Sequence, residues 1–147
     1  MKKLFDLILY QKDDIEMGNT CSGEVLVSPT GEGYFRGEDL SGRVVPVGMG
    51  ITYTPSPGHN DIDTAMILET EDGDNLLMEM KAVFDADELV EKKLMNDEPV
   101  NPEEYYYKGI VSFKTGSDKY KYLERKICLC TGEIENWEKL NFEVFLL

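Results

Sequence analysis

Apolar and polar residues alternate with a period of two along most of this chain, the pattern of strands with one buried face. Leu76, Met78, Met80, Ala82 and Phe84 fall on one side, with Asn75, Glu79 and Lys81 opposite. Leu140, Phe142, Val144 and Leu146 repeat it against Lys139, Asn141 and Glu143. Strands are read at Leu4–Tyr10, Gly23–Ser28, Gly33–Arg36, Arg43–Thr54, Asp61–Glu71 and Asn75–Phe84, then at Tyr105–Lys114, Tyr120–Cys130 and Leu140–Leu147. Turn signals at Thr30-Gly31, Pro57-Gly58, Glu71–Asp74, Thr115-Gly116 and Thr131-Gly132 punctuate the series. Asp72-Gly73, between two alternating runs, is the best short-range hairpin signal.

One segment departs from the alternation. Asp85-Ala-Asp-Glu88 has the form of a capping box, Ala86, Leu89, Val90 and Leu94 make a short apolar stripe, and Pro99 and Pro102 follow. One helix is predicted from about Ala86 to Met95. Eight or nine antiparallel strands must hide their edges, and closure into a barrel does so completely. The expected fold class is therefore mainly β: a small antiparallel β-barrel with one short helix, in a single domain over residues 1–147, with a two-sheet sandwich as the alternative. A barrel of eight strands either fills its interior with side chains or leaves room for one small ligand.

Composition sharpens this in two ways. Against 15 basic residues stand 29 acidic ones, a net charge of −14, which repels phosphate backbones and anionic bilayers; neither nucleic acid nor membrane is expected as a partner. Cys21, Cys128 and Cys130 make no disulfide framework, and a reduced, cytoplasmic chain is expected. Cys128 and Cys130 share a strand face and read as small core hydrophobes rather than as half a metal site. The amino terminus imitates a signal peptide only briefly, because Asp6 interrupts its apolar run.

Three motifs carry a family resemblance. The first is Phe35-Arg-Gly37-Glu-Asp-Leu40-Ser-Gly42. The second is Thr70-Glu-Asp72-Gly73, with Asp63 upstream. The third runs from Tyr105-Tyr106-Tyr107-Lys108 through Phe113-Lys-Thr115-Gly116 to Tyr120-Lys-Tyr122-Leu123-Glu124-Arg125. In order and spacing they resemble domain-of-unknown-function family 3237, also called uncharacterised protein family 0311, over nearly the whole chain. The resemblance implies a small antiparallel barrel similar to the allene oxide cyclase and calycin-like barrels. The chain departs from the family pattern where an arginine becomes Lys108, a tryptophan Tyr122 and an asparagine Glu124, and where Gly48-Met-Gly50-Ile-Thr52 lacks the aspartate of the family's Gly-Gly-x-Asp. If those positions form a pocket, its polar groups differ from those of its relatives.

Candidate chemistry follows from these motifs. On a strand over Tyr120–Cys130, Arg125 shares a face with Leu123, Ile127 and Leu129, so it is expected partly buried, where it either grips a ligand carboxylate or pairs with Asp63, Glu69 or Glu79. Tyr106 and Lys108 share a face, and Tyr122 and Glu124 lie beside Arg125. Asp63, Tyr106, Lys108, Tyr122, Glu124 and Arg125 are thus the candidate ligand-binding residues of a barrel expected to bind or process a small organic molecule, a carboxylated one among the candidates, in its cavity. The alternative is an interaction or assembly module with a filled interior. Inward Leu, Met and Phe in every layer would favour that alternative; a polar cavity of ~300 Å³ or more would favour the ligand. His59, the lone histidine, lies in His-x-Asp-x-Asp, a weak signal for metal or acid–base chemistry. No metal, cofactor or nucleophile triad is expected, catalytic residues are unassigned, and the oligomeric state is left open, a homo-oligomer included.

Overall fold

The computed structural model describes residues 1–147. Nine strands follow the chain: β1 (Lys2–Gln11), β2 (Ile15–Thr20), β3 (Gly23–Arg36), β4 (Ser41–Ser56), β5 (His59–Thr70), β6 (Asn75–Asp85), β7 (Tyr106–Lys114), β8 (Cys128–Asn136) and β9 (Lys139–Leu146). The antiparallel order is β1-β9-β8-β7-β6-β5-β4-β3-β2, and β1 also pairs β3, with Leu7 opposite Phe35 and Leu9 opposite Gly33. That last pairing closes eight strands into a barrel and excludes the sandwich. β2 hangs outside the circuit, paired only to the first half of β3.

Alternation holds along the inward faces: β6 buries Leu76, Met78, Met80, Ala82 and Phe84, as its sequence predicts. These residues join one core of 28 buried residues. The Asp72-Gly73 turn links β5 to β6 with Gly73 at φ 87°, a conformation glycine adopts without penalty. Pro57-Gly58 joins β4 to β5 in a two-residue loop.

Four expectations need correction. Gly23–Ser28 and Gly33–Arg36 are one strand, bent at a register shift between Pro29 and Gly33, so Thr30-Gly31 is a bulge and not a turn. Thr131-Gly132 likewise lies within β8. The helix α1 spans Glu88–Met95 and its cap is Asp87, whose Oδ1 accepts from the Val90 N–H at 2.9 Å; Asp85 instead ends β6 opposite Tyr106. Finally, Tyr120–Cys130 is not one strand. Lys121–Arg125 forms a 3₁₀ turn, and β8 begins only at Cys128. Burial explains the difference: Tyr120 and Leu123 are the core-facing residues, and a spacing of three suits a 3₁₀ turn, where a strand would pair Tyr120 with Tyr122.

That turn seals one end of the barrel. Leu123 of that turn is fully buried and joins the core that also holds the Phe5, Phe35 and Phe113 rings, with centroids at 5.2 Å for Phe5–Phe35 and 6.2 Å for Phe5–Phe113; we call Leu123 the plug. A polar clasp holds the plug. Asp72 Oδ2 accepts from Lys119 Nζ at 2.7 Å and from the Tyr120 hydroxyl at 2.9 Å, and these bonds hold its carboxyl below the usual carboxylate range. Ser117 donates to Asp74 Oδ2 at 2.8 Å, and Thr115 to the Asn75 carbonyl at 2.7 Å. We call this end the floor and the other the mouth.

Candidate functional site

The interior changes character halfway up. Below the bulges at Pro29–Gly33 on β3 and Val45–Gly48 on β4, the inward residues are Phe35, Val44, Met66 and Leu68. Above them the same three strands turn inward Ser28 and Thr30 (β3), Gly50, Thr52 and Thr54 (β4), and Asn60, Ile62 and Thr64 (β5). Threonine is a comfortable strand residue, so local preference allows this row, but such side chains cannot fill a barrel. Ser28 faces Gly50, Gly50 faces Thr64, and Thr64 faces Met80 across consecutive strands. Gly50 leaves open space: a Cβ there would meet only the Thr64 side chain, at 3.1 Å.

The result is a cavity of about 720 Å³ opening at the mouth. Its opposite wall, from β6 through β9 and β1, is apolar and aromatic: Met80, Phe84, Tyr107, Ile134, Leu140, Phe142 and Leu9. Tyr107 packs edge-on to Phe84 at 5.1 Å and Phe142 at 5.4 Å, over Gly132, where any Cβ would strike its ring at 2.9 Å. Helix α1 contributes Leu94 and Met95 to the mouth, and Trp137 of the β8–β9 turn lines another side.

Hydrogen bonding divides the polar groups. Asn60 is fixed, donating from Nδ2 to the Phe84 carbonyl at 3.0 Å and accepting from the Thr54 hydroxyl at 2.7 Å. No buried polar atom is both unpartnered and sealed from solvent. The hydroxyls of Ser28, Thr30, Thr52, Thr64 and Tyr107 bond to no protein group, so they face the cavity space. Burial pushes the Tyr107 phenol well above its ordinary value and keeps it a neutral donor. Beneath it Cys130 donates to Met80 Sδ at 3.3 Å, and burial pushes this thiol up to about 11. The charged residues lining the cavity are Asp14, Glu16, Glu24 and Glu91, all acidic; no lysine, arginine or histidine lines it.

None of the six residues predicted from the sequence lies in this lining. Asp63 is exposed on the outer face of β5, because its alternate partners Thr64, Met66 and Leu68 point inward. Tyr106 and Lys108 do share a face, with Nζ 5.8 Å from the ring, but it is the outer face of β7. Tyr106 borders a second, open hollow outside the barrel, edged by carboxylates and by His59, whose Nδ1 lies 3.4 Å from Asp85 Oδ2. Tyr122, Glu124 and Arg125 are exposed at the floor, the opposite end from the mouth. Arg125 makes no ion pair, and Glu124 accepts from the Thr115 N–H at 3.4 Å. The 3₁₀ turn removes the strand geometry on which the expected burial of Arg125 rested.

The residues missed were inward threonines and serines. Their signal was present in β5, where Ile62, Thr64, Met66, Leu68 and Thr70 form the more apolar of its two faces, which sets Thr64 inside and Asp63 outside.

Comparison with known proteins places this architecture. The family described as "Protein of unknown function (DUF3237)" matches residues 1–145. A UPF0311 protein of Bradyrhizobium diazoefficiens is 28% identical over 132 residues, covering 89% of this chain and 86% of its own. The crystal structure of a conserved protein of unknown function from Rhodopseudomonas palustris superposes with a TM-score of 0.91 at 21% identity, over 99% of this chain and 95% of that one. An enzyme from Penicillium herquei shares the fold with a TM-score of 0.70 at 17% identity, over 98% and 92% of the two chains.

Proposed function

The chain belongs to the DUF3237 family, and from that premise we propose that the mouth half of its barrel binds a small organic molecule. One observation carries this reading: a cavity of about 720 Å³ keeps five hydroxyls without a protein partner beside an aromatic wall. Pockets for small molecules have this size and this mixture of apolar surface with a few polar groups. Interior hydroxyls left without protein partners contribute nothing to packing, so a ligand or water must satisfy them. The floor is filled, as an assembly module would require, but the mouth half is not. A barrel of this shape in Penicillium herquei is described as an enzyme, which offers a precedent of fold for turnover in such a cavity. Binding is the role the residues here support best.

The test is a thermal-shift screen against a metabolite library, run in parallel on the native protein and Gly50→Leu. Gly50 has an ordinary backbone conformation, so leucine projects into the middle of the cavity, between the hydroxyl row and the aromatic wall, at the expense of one movable threonine side chain. A ligand at a hundred times its Kd stabilises the native protein by about 2.7 kcal/mol, and Gly50→Leu loses the shift. Shifts retained in Gly50→Leu, or none in the native protein, would remove this reading.

A further inference from the structure

We infer that the molecule taken by this cavity is an uncharged ring compound bearing hydroxyl or carbonyl groups along one edge, and that carboxylated or sulfonated counterparts are excluded. The inference rests on the cavity being a binding site and adds what enters it.

Three features point the same way. The two walls differ in chemistry: β3, β4 and β5 offer the free hydroxyls of Ser28, Thr30, Thr52 and Thr64, whereas the facing strands offer the rings of Phe84 and Phe142. A flat molecule with polar substituents on one edge satisfies both, its face against the aromatics and its edge against the threonines. Deep in the cavity the polar wall carries no ionisable group: its one charged residue, Glu24, lies near the start of β3, and the row of Ser28, Thr30, Gly50, Thr52 and Thr64 is uncharged. A hydroxyl both donates and accepts, so it exchanges water for a neutral partner without loss, but it does not replace the hydration of a full charge. Finally, Asp14, Glu16, Glu24 and Glu91 line the entrance with no cation among them, so an anion meets repulsion on the way in and no counter-charge inside. The arginine that would have gripped a carboxylate, Arg125, lies at the sealed floor.

Two fluorescent probes share one ring skeleton and differ in a sulfonate: phenylnaphthylamine, which is neutral, and anilinonaphthalene sulfonate. Titrated into the native protein near neutral pH, the neutral probe is expected to bind at least about tenfold more tightly than the anion. Gly50→Leu abolishes its binding, and the triple variant Glu16→Gln, Glu24→Gln, Glu91→Gln narrows the gap. In competition against the neutral probe, a trihydroxyflavanone displaces it better than unsubstituted flavanone by about fivefold or more, an advantage that Thr52→Val with Thr64→Val removes, and Ser28→Ala reduces. Equal binding of both probes, each lost in Gly50→Leu, would leave the cavity as a site and overturn its preference for neutral ligands. Equal competition by the two flavanones would overturn the polar edge. If neither probe binds, or both bind Gly50→Leu unchanged, the cavity is no binding site and this inference falls with it.

Discussion

At the floor of the barrel, strands β3, β4 and β5 bury Phe35, Val44 and Leu68 against a plug, and the polar residues there are fastened to one another. At the mouth the same strands bury Ser28 and Thr30 and half-bury Thr64, and these hydroxyls have no protein partner. Asp72 is tied by two side chains, whereas four threonine and serine hydroxyls at the other end bond to nothing. The floor is a place where sequence is spent on closure, and the mouth is one where closure is withheld. Much of the motif sequence that carries the family resemblance sits at the floor, while Tyr107 of the third motif stands in the cavity wall. Phe35 and Leu40 are buried there, Asp72, Thr115 and Tyr120 form the clasp, and Leu123 is the plug. A Cβ at Gly37 would fall on the Leu4 carbonyl, and one at Gly42 on the Glu69 carbonyl, so both glycines are demanded by close backbone approach. Apart from Tyr107, the shared motifs are therefore mostly those of a sealed barrel end, and they identify a fold more than a ligand.

Removing the plug should break the comparison most sharply. Leu123→Ala takes a fully buried side chain from the floor and is expected to cost about 2–5 kcal/mol in urea unfolding. Residual folded protein should still bind neutral probes at the mouth; loss of binding at unchanged stability would show that the two ends are not independent.

Alkaline pH tests the layer between them. Burial raises the folded pKa of Cys130 to about 11 and that of Tyr107 further still. Both groups are held protonated by the fold, so their contribution is whole below the unfolded values of about 8.5 and 10, and is lost as pH rises toward the folded ones. Stability should begin to fall above about pH 8.5, where buried Cys128 contributes as well. Cys130→Val should make that fall shallower, and Cys130→Val with Cys128→Val should delay the onset until the phenol titrates. Denaturant midpoints across that range decide it, and an unchanged onset in the double variant would contradict the assignment.

Smaller effects sharpen the contrast. Tyr120→Phe removes one hydroxyl from the floor clasp and is expected to cost about 1 kcal/mol with no change in probe affinity. Thr64→Val removes one hydroxyl from the mouth and is expected to change stability by less than about 0.5 kcal/mol, because no protein bond is lost, while weakening a hydroxylated ligand. A large stability loss in Thr64→Val would show that its hydroxyl has a structural partner. Thiol labelling at neutral pH should modify exposed Cys21 quickly and leave buried Cys128 and Cys130 untouched until the protein unfolds.

Alternation in β6 and β9 was sufficient to place their faces, and Asp72-Gly73 to place a hairpin, because a period of two and a positive-φ glycine are local physics. The same reasoning failed for Arg125. Its exposure depends on a 3₁₀ turn that exists because Leu123 and Tyr120 must reach across the barrel end, a demand made by strands distant in the chain. It also passed over Thr64, since a threonine among apolar neighbours gives no sign of whether the space opposite is filled. The sequence by itself determined most strands and the Asp72-Gly73 hairpin, written in adjacent residues, and the need to hide sheet edges favoured a barrel that the β1–β3 pairing then closes. Which half of the interior stays empty was decided only by tertiary structure: two bulges shift the register of β3 and β4, and eight strands must converge before a row of short hydroxyls becomes a cavity wall.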